Sequence, residues 1–167
     1  MQIDVTVLLD YTEWERQEWH TWFREQGAPA LAVSIGEHGD GRMTNVGELV
    51  RHIFSAEQRY VDRISGTPLS ETATVPPNDV SALFAFGAAS RRALRDLLAS
   101  LPEERWDTAQ EIKVGPHTRQ VTPRKLVLQT LLHETRHWSQ VSTFLRLAGF
   151  KLRPHDFLLS PVLDPRV

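Results

Sequence analysis

His133-Glu134-Thr135-Arg136-His137 sits inside the stretch Pro123-Arg124-Lys125-Leu126 through Leu147-Ala148-Gly149, and the reading of that stretch decides the fold. Nothing between Arg124 and Ala148 breaks a helix. Pro123 stands where a helix can begin and Gly149 where one can end. Residues four apart on a helix lie about 40° from each other around its axis, so His133 and His137 project from one face, one turn apart. The same stripe carries Leu126, Thr130, Val141, Phe144 and Ala148, which marks it as the face to be buried. Each imidazole brings a lone pair into that face, and leaving one unpaired costs about 1–3 kcal/mol. A shared divalent metal ion satisfies both rings at once. Zinc and nickel suit neutral imidazole best, with bonds of about 2.0–2.1 Å for zinc; iron and manganese are compatible as well.

The pattern on either side predicts three further helices. The first runs from about Asp4 to Gln26, with Leu8, Tyr11, Trp19, Trp22 and Phe23 at three- and four-residue steps and Glu15 on or beside the stripe. Gly27-Ala28-Pro29 ends it, and a glycine-rich loop follows to Arg42. The second starts at Thr44 or Asn45, where Asn45 and Glu48 have capping-box spacing. Its stripe is Val46, Leu49, Ile53, Tyr60 and Ile64, bordered by His52 and Glu57. The third follows Pro76-Pro77, capped by Asn78 or Asp79, with Val80, Leu83, Phe84, Leu94, Leu97 and Leu98 inward and the small residues Gly87 to Ser90 allowing close approach of a neighbour. Between Trp106 and Thr122 the period changes to alternation, which predicts a short β-hairpin around Gly115-Pro116, with Pro116 arguing against a two-residue turn of the Asn-Gly kind. Phe157, Leu158 and Leu159 are the expected anchors of an irregular C-terminal arm. These elements predict an all-α fold, an antiparallel four-helix bundle with a short β-hairpin before the last long helix, as one domain over residues 1–167. The lengths of the loops leave room for a crossover connection, and the pattern does not set the order of the helices.

Composition narrows the function. The chain has 167 residues, a formal net charge of −2 and no cysteine. Without a basic excess, nucleic acid is not an expected partner, and no apolar run is long enough to span a bilayer. The N-terminus lacks the pattern of a signal peptide, so the cytoplasm is the expected location. The absence of cysteine excludes disulfides, thiolate ligands and a cysteine nucleophile. Any metal is left to His, Asp or Glu, and any thiol chemistry needs a thiol from a small molecule.

Two histidines make an incomplete shell, and a catalytic metal usually has a third protein ligand and an open position. The candidates are His20, His38, His52, His117, His155 and the carboxylates. His52 is the best placed, mid-helix beside an apolar stripe, because metal sites in bundles are built from facing helices. His38 and His117 fall in loop or turn stretches, His20 reads as a boundary residue, and His155 in the arm reads as exposed. The pentad also satisfies H-E-x-x-H, in which the glutamate serves a metalloprotease as general base. The extended form of that motif fails, because Gln140 and Thr143 stand where glycine and a third histidine belong. With only one short hairpin to receive a substrate strand, protease ranks low.

Three pieces of sequence resemble the DinB-like family of metal-binding helical bundles. They are His52 within Leu49-Val50-Arg51-His52-Ile53-Phe54-Ser55-Ala56-Glu57, Thr122-Pro123 leading to His133-Glu134-Thr135-Arg136-His137-Trp138-Ser139-Gln140, and the closing segment from Gly149 to Asp156-Phe157-Leu158. Leu9-Asp10-Tyr11-Thr12-Glu13-Trp14 is similar to the first helix of that family. The resemblance implies metal ligation by His52, His133 and His137, and a homodimer. It also implies an enzyme acting on a small-molecule substrate with a low-molecular-weight thiol, as a transferase, isomerase or hydrolase. Arg136 and Ser139 depart from the residues frequent in the family, His and Gly, at positions that are not ligands. Glu48, Glu57 and Glu134 are candidates to support the site, though each alone reads as a solvated helix carboxylate. Trp14, Trp19, Trp22 and Trp138 read first as core or interface. The competing expectation is a non-catalytic bundle, stapled by its metal, that serves as a stress-related or binding protein.

Overall fold

The computed structural model describes residues 4–36 and 41–164. Helix α1 spans Val5–Gln26, and α2 is a single turn, Ala28–Leu31. The long helices α3, α4 and α5 span Val46–Ser65, Val80–Ser100 and Pro123–Leu147. Strands β1, Gln110–Val114, and β2, His117–Val121, form an antiparallel hairpin between α4 and α5. The fold is therefore all-α with a small hairpin, as the pattern predicts. No helix among the described residues is long and apolar enough to cross a membrane.

The boundaries have local causes. Asp4, Asn45, Asp79 and Thr122 each cap a helix by accepting a backbone N–H in its first turn. The Glu48 carboxylate reaches back as a capping box requires, but it takes the N–H of Thr44 rather than that of Asn45. The hairpin turn is not of the Asn-Gly kind, as Pro116 requires, yet it is short. Val114 pairs with His117, so Gly115-Pro116 is a two-residue turn, with Gly115 at φ 58°. A glycine at positive φ in the first position is one of the two favoured two-residue solutions, and the fixed negative φ of proline suits the second.

The contacts between helices fix the order. Helix α3 packs on α4 and α5, and α1 packs on the same two from the opposite side. Going up α1 means going down α4: Leu9 and Thr12 meet Arg91, and Arg16 meets Gly87. Helices α3 and α4 run parallel, with Gly47 against Pro77, Phe54 against Gly87 and Glu57 against Ser90. Helices α1 and α5 also run parallel, with Arg16 on Glu134 and Trp19 on Trp138. The bundle is thus up-down-down-up, and the segment 66–79 is the crossover between the two parallel neighbours. At its end the chain presses on α3, where a Cβ on Gly47 would fall 1.9 Å from the carbonyl oxygen of Pro77. Gly47→Ala is expected to cost roughly 1–3 kcal/mol, read as a lower urea midpoint with an unchanged slope.

Two apolar clusters fill the bundle. One gathers Trp19, Phe23, Phe54, Phe84, Trp138 and Val141. The other gathers Leu9, Ile64, Leu94, Leu126, Leu131 and Ile112 from the hairpin. Trp19, Trp22 and Trp138 are core residues, 0–3% exposed. The C-terminal arm is held differently from expectation. Leu158 and Leu159 are 88% and 58% exposed, so they are not anchors. The arm is held by Phe150 and Leu152 against the first cluster, by Trp22 Nε1 donating to Lys151 O, and by Tyr11 Oη donating to His155 O. Phe157 adds only an edge contact to Tyr11.

Candidate metal centre

Three imidazoles meet where α3 and α5 pack. His52 comes from α3; His133 and His137 come from α5, one turn apart. His52 Nε2 lies 3.2 Å from His133 Nε2, and His137 Nε2 lies 3.0 Å from the same atom. One ring nitrogen of each of the three lies within 4.8 Å of the others. His137 is buried, while His52 and His133 are half-buried.

Hydrogen bonding alone does not account for this geometry. A ring nitrogen carries either one proton or one lone pair, and His133 Nε2 faces two other nitrogens. His137 Nδ1 lies 2.5 Å from Gln140 Oε1 and donates to it, which leaves the His137 lone pair on Nε2, toward the cluster. Burial, then His137 and His52, then Arg136 and Arg42, push His133 down to about 3, so its ring is neutral at ordinary pH. A cation satisfies every lone pair at once. Tetrahedral bonds of about 2.0–2.1 Å set ligand nitrogens about 3.3 Å apart, close to the 3.2 and 3.0 Å that separate His133 Nε2 from the other two. The donor set fits a metal ion.

The other histidines lie elsewhere. His20 stacks on Phe84, His117 is exposed on the hairpin, and His155 is half-buried against Trp19 rather than exposed. His38 lies outside the described residues. Gln140, which orients His137, is the residue that sequence reasoning missed as part of the site. The available signal was its place one turn beyond a candidate ligand.

Beneath the histidines lies a second constellation, in which Glu57 and Glu134 are buried rather than solvated. Arg16 of α1 donates to both oxygens of Glu134 at 2.5 and 2.8 Å and to Glu57 at 2.9 Å. Arg91 of α4 donates to Glu134 at 2.7 Å and lies 3.1 Å from Glu57. Ser90 Oγ and Trp138 Nε1 donate one further bond each to Glu57 and Glu134. Burial pushes the Glu134 carboxyl up, but Arg16 and Arg91 override it and hold the group below its ordinary value. The four charges cancel, and each comes from a different long helix. They form a polar layer between the two apolar clusters. This arrangement also answers the H-E-x-x-H reading. Both oxygens of Glu134 are engaged by arginines and Trp138 in the core, so it is not a general base for the histidine site.

The sequence matches the DinB family model over residues 1–164. The chain belongs to the DinB family. No curated protein matches it significantly. Among solved structures, this DinB-family chain is similar to a DinB-like protein from Bacillus cereus ATCC 10987, with 14% identity, 88% of this chain and 94% of that chain covered, and a TM-score of 0.65. It is also similar to the DinB-like protein YjoA from Bacillus subtilis, with 19% identity, coverage of 89% and 96%, and a TM-score of 0.52. At these identities the likeness speaks for the fold.

Proposed function

We propose that this DinB-family protein is a divalent-metal-dependent enzyme, a transferase, isomerase or hydrolase that uses a low-molecular-weight thiol. His52, His133 and His137 hold the ion, zinc or nickel. The observation that carries the reading is the convergence of three imidazole nitrogens beside solvent, with His52 and His133 half-buried. An ion sealed in the core would have no room for substrate. When bound, the ion supplies Lewis acidity, lowering the pKa of a thiol or water toward neutrality. The residues do the rest: Gln140 fixes the ring of His137, and Arg42 and Arg136 place positive charge near His133, where a thiolate or carboxylate would be welcome. We further propose that the chain acts as a single domain, as a homodimer, in the cytoplasm. Because the chain has no cysteine, the thiol is a separate substrate.

The test is an assay of metal-loaded and chelator-treated protein with glutathione, mycothiol and bacillithiol against a panel of electrophiles. The expected result is thiol consumption that requires the ion. Silence across the panel, with the ion still raising Tm, would favour a metal that merely staples α3 to α5. Gln140→Ala is expected to weaken metal binding about 10–100-fold, measured by competition with a chromogenic chelator.

A further inference from the structure

On the side of α5 opposite the histidines, a crevice of about 360 Å³ opens between α1, α5 and the C-terminal arm. Glu15 lines it and is only 5% exposed. Among the described residues, five buried side-chain atoms lack a hydrogen-bond partner: Glu15 Oε2, Trp19 Nε1, Glu57 Oε2, Arg91 Nε and His155 Nε2. Glu57 and Arg91 belong to the charged layer and face each other's charge. The other three are neighbours, since Glu15 and His155 line the same crevice and the Trp19 ring packs on His155 at 4.4 Å. A buried carboxyl without a partner is costly, and two orphans lining one opening, Glu15 Oε2 and His155 Nε2, point to something that enters it.

The lining decides the chemistry. Glu15 and Asp156 bring two carboxyl groups against the single guanidinium of Arg146, and Tyr11 and Trp138 bring aromatic surface. An anion would face the two carboxyls. An apolar group would leave Glu15 unsatisfied. A compact cation with N–H donors satisfies the carboxyl and gains from the rings. We propose that this crevice is a binding site for a small primary ammonium group, held by Glu15 and roofed by the arm at His155 and Asp156.

The protonation of Glu15 agrees with this geometry. Burial, then the charge of Glu134, pushes its carboxyl up to about 8 from 4.5. The titratable and charged groups facing it are Tyr11 on α1, Glu134 and Arg146 on α5, and His155 and Asp156 on the arm. Without a cation the folded protein keeps that proton while the unfolded chain loses it near 4.5, so this group's contribution falls as pH rises from about 4.5 towards 8. Glu15→Gln is expected to lack this loss, and so to gain Tm over wild type at pH 8.5 but not at pH 4.

The test is a titration of wild-type protein at pH 8.5 with methylammonium, methanol and acetate, followed by the indole N–H resonance of Trp19 and by Tm. Methylammonium is expected to shift the resonance saturably and raise Tm, while methanol and acetate do neither. Glu15→Gln is expected to weaken the response at least about tenfold, and Asp156→Asn, on the exposed arm, to weaken it in the same direction. An equal response to methanol, an undiminished response in Glu15→Gln, or a crystal structure from methylammonium showing only ordered water would overturn the proposal. If Glu15→Gln does not fold, the wild-type comparison and Asp156→Asn decide.

Discussion

Glu134→Ala is expected to destabilise the protein by roughly 3–5 kcal/mol, a fall in Tm of roughly 6–20 °C for a chain of this size. The change removes one of two carboxylates that neutralise Arg16 and Arg91, both over nine-tenths buried. It leaves two guanidinium groups in the interior with Glu57 as the one remaining carboxylate of the layer, and it strips Trp138 Nε1 of its acceptor. The penalty comes from stranded charge, so it does not measure what the intact layer contributes. Arg91→Met combined with Glu134→Leu is accordingly expected to lose less than the sum of the single changes. Urea unfolding of the four proteins measures this, and a Glu134→Ala variant as stable as wild type would remove the layer from the account of the fold.

His137→Ala is expected to abolish metal binding in tag-free protein, with elemental analysis falling from about one ion per chain to background. The loss should exceed the effect of Gln140→Ala, because a ligand disappears rather than its support. At an ion concentration of about 100 Kd the wild type gains about 2.7 kcal/mol, or roughly 5–11 °C in Tm. That gain should vanish in the variant, while its stability in chelator changes little. Equal metal content in the two proteins would end the case for the histidine site.

Much of this molecule is legible in its residues. Helix spans follow from apolar spacing and from Asp4, Asn45, Asp79 and Thr122 as caps. The histidine trio is legible because a four-residue step places two rings on one face and His52 stands beside the stripe of another helix. The charged layer is not, because Arg16 and Arg91 look like any helix arginine until their partners, on other helices, are brought to them. Glu57 and Glu134 mislead in the same way: position beside a stripe is compatible with solvent or with the core, and only long-range pairing decides. Helix order is absent from local pattern altogether, since each long helix carries a single apolar face that several neighbours could cover. The arm misleads because Phe157-Leu158-Leu159 is its most apolar run, yet backbone carbonyls at Lys151 and His155 tie it down.

The up-down-down-up order has a consequence for synthesis. The first helix packs chiefly on the third and fourth long helices, which are made last, and Arg16 waits 118 residues for Glu134. At translation speeds of about 5–20 residues per second, that interval is roughly 6–24 s. Until Trp138 emerges, the nascent chain carries Trp19, Trp22 and Phe23 with only part of their cover, from Leu31, Phe54 and Phe84, a sticky face at the ribosome exit. Chaperone demand during production should therefore track elongation past the third long helix.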